Sequence, residues 1–417
     1  MKNKIIVPIA IFAAFLFASC TKAGQGNEVV STDMTKPQPV SNVSVQNVNG
    51  GAVITYTLPR TQNTLYVQAD YTINDKTGAV RQTKSSYYSD TTVVEGFAES
   101  KDYEVELKVV TRAGVASDPV KVTVHPDTPP YLLVRQTLSL SPDFSGVAAA
   151  AENPLKKNIG VVMIYNDPGF GKYIIREQRY SNFEEIKYST RGLDTLPKLM
   201  GAYVADAFGN VSDTLFETIE PLYEVPLDRN RFFDYTLPTD KPPYQPSYGV
   251  FKLYNGIVAQ EDCWHTAILQ GADNTFPYTC TFGIGLKAKL SRFTIWDRPF
   301  PGRYWGGENA KVFSIWGSDK DQPADRALLP GQPEGTVMGD WVNLGNYRFP
   351  DPPSGNQASP GTVTSADIAF WNAGIEFNIP ISAIPVKYIR FALEQNWGGS
   401  NYGAVSELRF YGDPRLR

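Results

Sequence analysis

Arg112-Ala113-Gly114-Val115-Ala116-Ser117-Asp118 and Asp206-Ala207-Phe208-Gly209-Asn210-Val211-Ser212-Asp213 decide how this chain is read. Each places a glycine-containing turn before a serine and a last short apolar run. Each is then closed by a proline, Pro126 in the first case and Pro221 in the second. The offset from Ser117 to Ser212 equals that from Pro126 to Pro221. A repeat of this length is a whole domain, not one turn of a solenoid. Upstream of the first copy, apolar and polar residues alternate at 40–45, 52–57, 66–72, 103–110 and 120–124. Asn49-Gly50-Gly51 and Lys76-Thr77-Gly78 supply turn chemistry between them. Short strands at this spacing predict a β-sandwich, and the repeat predicts two in tandem, each about 90–95 residues long.

The predicted divisions are 37–126 and 127–222 for the sandwiches, with the stiff Thr128-Pro129-Pro130 at their boundary. Residues 223–417 hold a Pro-, Tyr- and Asp-rich linker and then a third unit of different character. All 7 tryptophans lie in that unit, from Trp264 to Trp397, so recognition is sought there. Tyr 23, Phe 22, Gly 34 and Pro 31 suit an all-β, loop-rich protein. A net charge of −4 argues against a nucleic-acid partner, which needs a basic face.

At the N-terminus, Lys2 and Lys4 precede an apolar run over 5–17, too short to span a bilayer. It ends in Phe17-Ala18-Ser19-Cys20. The basic start and small residues describe a secretory signal over 1–20, and Ala18-Ser19-Cys20 resembles the lipobox of bacterial lipoproteins. That resemblance implies a lipid on Cys20, export, and attachment to a membrane, the outer membrane being expected. An ordinary cleaved signal is the alternative. Residues 21–36 read as a flexible tether; they lack an acidic cluster after Cys20, which leaves both membrane faces open. Cys263 and Cys280 form either a disulfide or two buried free thiols.

In the third unit Phe282-Gly283-Ile284-Gly285-Leu286 leads into Leu290-Ser291-Arg292-Phe293-Thr294-Ile295-Trp296. Phe313-Ser314-Ile315-Trp316-Gly317-Ser318, Asp340-Trp341, Lys387-Tyr388-Ile389-Arg390-Phe391 and Val405-Ser406-Glu407-Leu408-Arg409-Phe410-Tyr411-Gly412 follow. This ordered series resembles the discoidin, or coagulation factor 5/8 C-type, galactose-binding-like jelly roll. The hairpin endings at Ser117 and Ser212 resemble those of fibronectin-type sandwiches. The fold implied is all-β: two tandem fibronectin/Ig-like β-sandwiches followed by a discoidin-like jelly roll. The whole chain resembles lipoproteins of bacterial polysaccharide-utilisation systems, on Gly50-Gly51-Ala52-Val53-Ile54-Thr55-Tyr56-Thr57-Leu58-Pro59, Val94-Glu95-Gly96-Phe97, and Asp143-Phe144-Ser145-Gly146-Val147 with Asn153-Pro154. That resemblance implies a polysaccharide or oligosaccharide ligand and proteins of a glycan-uptake complex as partners.

Sugar recognition needs flat aromatic rings beside planar polar groups, carried on loops at one end of the barrel. Three loop segments supply this mixture: Trp264 with His265; Arg298, Tyr304 and Trp305; and Trp397, Asn401 and Tyr402. Trp316 and Trp341, in regular alternation, read as core. A structural calcium, as the discoidin resemblance implies, would use Asp262 or Asp273. An enzyme is disfavoured: no acidic pair stands out among the aromatic loops, and His125 and His265 fall in different units. The expectation is a membrane-anchored, non-catalytic glycan-binding lipoprotein; the alternative is an interaction protein docking a partner through the same face.

Overall fold

A computed structural model describes residues 31–61, 63–167, 169 and 171–415. The signal sequence, Cys20 and most of the tether lie outside them. Among the described residues no helix is long and apolar enough to cross a membrane. The chain is almost entirely β. Its contacts divide it into two compact units. The first runs to Ser139 and adds Ala149–Tyr188 and Met200–Glu217; the second takes Leu140–Ala148, Ser189–Leu199 and everything from Thr218. The division thus runs through the second sandwich.

The first sandwich is built from β1 (Ser41–Val48), β2 (Gly51–Thr57), β3 (Thr64–Asn74), β4 (Ala79–Ser86), β5 (Thr91–Glu95), β6 (Tyr103–Thr111) and β7 (Val120–Val124). They form sheets β1-β2-β5 and β4-β3-β6-β7. Alternate residues of β2, β3 and β6, among them Ile54, Val67, Ala69, Val105 and Leu107, face inward and make one core. β4 has no buried position, which is why its sequence carries no alternating apolar signal. Only the Lys76-Thr77-Gly78 turn announces it.

The second sandwich repeats the plan. β8 (Ser139–Asp143), β9 (Gly146–Glu152) and β12 (Glu185–Ser189) form one sheet, in the order β12-β9-β8. β10 (Ile159–Asp167), β11 (Lys172–Ser181), β13 (Lys198–Asp206) and β14 (Leu215–Ile219) form the other, in the order β11-β10-β13-β14. The repeated serine has the same task in both. Ser117 Oγ accepts the Val109 N–H at 2.9 Å and donates to the Asp118 carbonyl; Ser212 Oγ accepts the Val204 N–H at 2.9 Å and donates to the Asp213 carbonyl. In each case the hydroxyl stands in for a strand partner before the last strand begins, so no buried amide is left unpaired.

Within the first unit the two repeats meet closely. The helix Pro130–Thr137 donates its Tyr131 hydroxyl to the Ala98 carbonyl at 2.8 Å, while Arg135 pairs with Asp213. From the β13 hairpin, Asn210 Nδ2 donates to the Gly96 carbonyl at 2.9 Å, and the Phe208 ring lies against Gly96. Gly96 has φ +98°, and a Cβ there would stand 2.9 Å from that ring, so no other residue fits without displacement.

The C-terminal module contains β15 (Val225–Pro226), β16 (Phe233–Asp234), β17 (Trp264–His265), β18 (Tyr278–Trp296), β19 (Ala310–Ser318), β20 (Val337–Met338), β21 (Trp341–Arg348), β22 (Ile375–Asn378), β23 (Val386–Asn396), β24 (Ala404–Val405) and β25 (Glu407–Asp413). The long strand β18 serves both sheets of the jelly roll. Its first half pairs with β23 and its second half with β25 and β22, the register breaking between Gly283 and Ala288. Gly285, at φ +70°, makes the bend; a Cβ there would meet the Arg231 carbonyl at 2.4 Å. Phe282, Phe293, Phe313, Phe391 and Phe410 fill the interior. Trp316 and Trp341 are fully buried in a second cluster, as their alternation predicts.

Glu407, on β25, is buried, and its Oε2 accepts the Gly256 N–H at 3.0 Å. Burial raises its carboxyl from the ordinary 4.5 to about 7. The folded state therefore holds a proton that the unfolded chain releases near 4.5. Stability falls as pH rises through this window and is lowest above about 7. Glu407→Gln is expected to raise stability by roughly 1–3 kcal/mol at pH 8 and to change nothing at pH 4, read by urea unfolding at both.

Candidate functional site

The strongest candidate is assembled where β18 ends, β19 begins, and β23 passes through a loop into β24. Asn396 braces that loop: its Nδ2 donates to the carbonyls of Ser400 and Tyr402, and its Oδ1 accepts the Ser400 N–H. Gly398 lies so close to Gly307 that a Cβ would stand 2.5 Å from the Gly307 nitrogen. The opposite loop is tied at its base, where Asp297 Oδ1 accepts the Ala310 N–H and Asn309 Oδ1 accepts that of Arg298. Burial holds the Asp297 carboxyl well above the usual carboxylate range.

On this frame four rings gather. His265 stacks on Tyr402 with centroids 5.1 Å apart and planes 19° from parallel. Tyr244 and Tyr248 stand 5.6 and 5.8 Å from the imidazole. Tyr244 is 50% exposed, and the other three are half-buried. His265 Nδ1 lies 2.7 Å from the Thr266 carbonyl and must donate to it, which leaves Nε2 as the acceptor side of the ring. Burial lowers the His265 pKa, so the ring is neutral at pH 7.

A chain of charges sets the two outer rings. The Tyr248 hydroxyl donates to Glu261 at 2.8 Å, and Arg298 Nη2 donates to the same carboxylate at 3.1 Å. Arg298 Nη1 reaches the wholly buried Glu308 at 2.9 Å. Glu308 also takes Arg303 Nη1 at 2.8 Å, and that nitrogen lies 3.3 Å from the Tyr402 hydroxyl. Both carboxylates beside the rings are thus engaged by arginine. The arrangement offers flat apolar faces, a neutral imidazole acceptor and a partly exposed guanidinium on Arg303.

The sequence-predicted site residues fall into three groups. His265 and Tyr402 are brought together as expected. Asn401 lies beside them, though its Nδ2 is spent on the Leu269 carbonyl at 2.8 Å, so it pins the loop. Three aromatics are corrected to core. Trp264 is 1% exposed and packs on Phe391; Trp305 is 1% exposed, with Nε1 donating to the Pro350 carbonyl; Tyr304 packs edge-on against Trp371. Gly306 and Gly307 beside Trp305 signal the turn that aims its ring inward, not display to solvent. Arg298 is likewise corrected: it is buried in the ion chain and orients other groups. Trp397 joins a different cluster, its half-buried ring 4.9 Å from Lys311 Nζ and 5.6 Å from the Arg348 guanidinium.

The cysteine alternatives resolve toward free thiols. Cys263 and Cys280 are both buried and unpaired, and burial pushes the Cys263 thiol up to about 12. Asp262, a candidate calcium ligand, is taken by Lys252 at 2.5 Å and by Asn255 at 2.6 Å. Asp273 sits in an exposed 3₁₀ turn. Among the described residues no three His, Cys, Asp or Glu side chains are grouped to hold a metal.

Tyr244 and Tyr248 are the site residues that sequence reasoning missed; Arg303 lies in the candidate loop over 297–309 but was not singled out for binding. Tyr244 sits in the stretch read as linker, and Tyr248 just after it. The Tyr244 N–H bond to the His265 carbonyl and the Ala267 N–H bond to the Pro242 carbonyl, each 2.8 Å long, bring that stretch to the site. The one local hint is a tyrosine pair spaced across Pro246.

Three segments match models of protein families: residues 37–126 a domain of unknown function (DUF4959), 127–230 a second (DUF5126) and 254–412 a third (DUF5000). None of these descriptions states an activity. No curated protein matches the chain. Among solved structures it is similar to "SusE-like protein BT2857", at 25% identity over 69% of this chain and 100% of that one, with a TM-score of 0.41. It is also similar to CBM32-3 from a family 31 glycoside hydrolase from Clostridium perfringens, at 16% identity over 45% of this chain and 95% of that one, with a TM-score of 0.31. A two-domain fibronectin type-III segment from chicken tenascin matches at 11% identity over 44% of this chain and 99% of that one, TM-score 0.21. Superpositions this loose carry no argument about ligand.

Proposed function

We propose that this chain is an exported, lipid-anchored, non-catalytic glycan-binding protein, attached through Cys20 to the outer membrane and serving polysaccharide capture. Its C-terminal module holds a sugar against the His265–Tyr402 face. One observation carries the reading: a stacked, half-exposed ring pair is flanked by Tyr244 and Tyr248 and bordered by the Arg303 guanidinium. A pyranose presents an apolar face to rings and hydroxyls to planar donors and to an imidazole acceptor, and this surface supplies each in reach of the others. With both nearby carboxylates bound to arginine, the site suits binding and lacks the free acid pair that glycoside hydrolysis requires.

The test is affinity electrophoresis of the soluble chain after Cys20 in gels containing plant, host and microbial polysaccharides. Tyr402→Ala and His265→Ala are each expected to weaken retardation by the recognised polymer about tenfold, with unchanged thermal midpoints. Wild-type retardation in both variants would remove the site. No retardation of the wild type by any polymer would turn the reading to a protein partner.

A further inference from the structure

The second sandwich carries an exposed aromatic face that the C-terminal site does not explain. On the β11-β10-β13-β14 sheet, the register places Gly160, Val162, Ile164 and Asn166 of β10 on one side. Tyr180, Gln178, Ile175 and Tyr173 of β11, and Ala205, Tyr203 and Gly201 of β13, stand opposite them. Phe216 reaches in from β14. Sandwich sheets ordinarily turn polar residues outward. Here Tyr180, Phe216 and Tyr173 are 53%, 46% and 43% exposed, and Ile175 is 55% exposed.

Two glycines determine how these rings lie. A Cβ on Gly160 would stand 2.4 Å from Tyr180 Cε1 and 2.7 and 2.8 Å from the two ring carbons beside it. Such near-equal distances mean that the ring lies flat over the Gly160 backbone. A Cβ on Gly201 would stand 2.8 Å from both Ile164 Cγ1 and Phe216 Cε1 and 3.1 Å from Phe216 Cδ1, so the Phe216 ring rests against this glycine beside Ile164. Each ring rests against a glycine and is about half exposed. Tyr173 extends the aromatic cluster, its centroid 5.3 Å from that of Phe216 and its plane tilted by 56°. Gly160 and the Ile164–Gly201 level are four residues apart along β10, about 13 Å, which suits a few linked sugar rings.

The register positions on this face include no charged residue. Their polar groups are tyrosine hydroxyls and the Gln178 and Asn166 amides, with Arg176 in the bulge beside them. A face of exposed aromatic rings and neutral amides matches a ligand that has apolar ring faces, hydroxyls and no charge. We propose that this sheet face is a second glycan-contact surface, for an uncharged polysaccharide chain lying across β10. The proposal rests on the glycan reading of the chain but not on the His265–Tyr402 site. Two sites on one chain would also favour long polymers over short oligosaccharides through effective concentration.

Four forms of the soluble chain test it: wild type, Tyr180→Ala/Phe216→Ala, His265→Ala/Tyr402→Ala, and the combination. They are run in gels of xylan, β-mannan, β-glucan and galactan, with polygalacturonate as the anionic comparison. The sheet variant is expected to bind one neutral polymer about tenfold more weakly than wild type. The C-terminal variant should keep part of the retardation, and the combination none. Tyr180→Phe/Phe216→Tyr keeps both rings and should bind as wild type. Thermal midpoints establish that each variant is folded. Wild-type affinity in Tyr180→Ala/Phe216→Ala overturns this proposal and leaves the C-terminal site standing. So does loss of binding in the ring-keeping variant, or retardation by polygalacturonate alone. A wild type retarded by nothing overturns both.

Discussion

Replacing Trp305 by alanine is expected to destabilise the C-terminal module by about 3–5 kcal/mol. Trp305 is fully buried, its centroid 4.7 Å from that of Trp371 and 6.5 Å from that of Phe349, and its Nε1 donates to the Pro350 carbonyl at 2.8 Å. Truncation would leave an indole-sized cavity and a carbonyl without its donor. The backbone adds a second argument. Trp305 sits at φ +51°, a conformation that side-chain-bearing residues adopt rarely and at a cost, so the packing of the ring must exceed that cost. The measurement is urea unfolding followed by tryptophan fluorescence, since all tryptophans lie in this module. A midpoint within error of wild type would contradict the buried assignment. Trp305→Phe, which keeps part of the packing, should lose less.

Glu308→Ala is expected to cost about 3 kcal/mol and to weaken glycan binding as well. The carboxylate is wholly buried and takes one guanidinium nitrogen from Arg298 and one from Arg303. Removing it leaves the buried Arg298 guanidinium with only the exposed Glu261 carboxylate to pair with, and a buried ion that loses its buried partner costs more than the pair contributes. It also frees Arg303, whose Nη1 borders the Tyr402 hydroxyl. The double variant Glu308→Leu/Arg298→Met separates the two effects. Stability should return in part, because the stranded charge is gone. Binding should not return, because the ring and Arg303 are no longer held. Recovery of both together would mean that the ion chain has no part in positioning the site.

How much of this was legible from residues alone varies by element. Hairpins with glycine turns and buried alternating strands were legible: β2, β6 and β7 lie where the alternation predicts them, and the Ser117 and Ser212 repeats carry matching bonds. β4 was not, because both its faces keep contact with water and its sequence has no period. In the jelly roll, the order of motifs pointed to the fold, and the Trp316 and Trp341 alternation pointed to core. The loops misled. Trp264, Tyr304 and Trp305 lie among glycines, prolines and charges and look displayed, yet the loops fold back and bury them. Tyr244 and Tyr248 lie in or beside the apparent linker, yet a backbone bond from Tyr244 to His265 and a hydroxyl bond from Tyr248 to Glu261 carry them to the site.

The sequence by itself determined the all-β class, the tandem repeat and the position of the aromatic-rich module, because turn chemistry and period-two alternation act between neighbours along the chain. The tertiary structure alone decided which rings face water and which charges are paired. Those outcomes depend on residues far apart in sequence: Pro350 accepting from Trp305, Glu261 joining Tyr248 to Arg298, and Gly160 and Gly201 leaving room for the distant Tyr180 and Phe216 rings. A ring becomes core or binding surface according to what packs against its second face, and no local pattern records that.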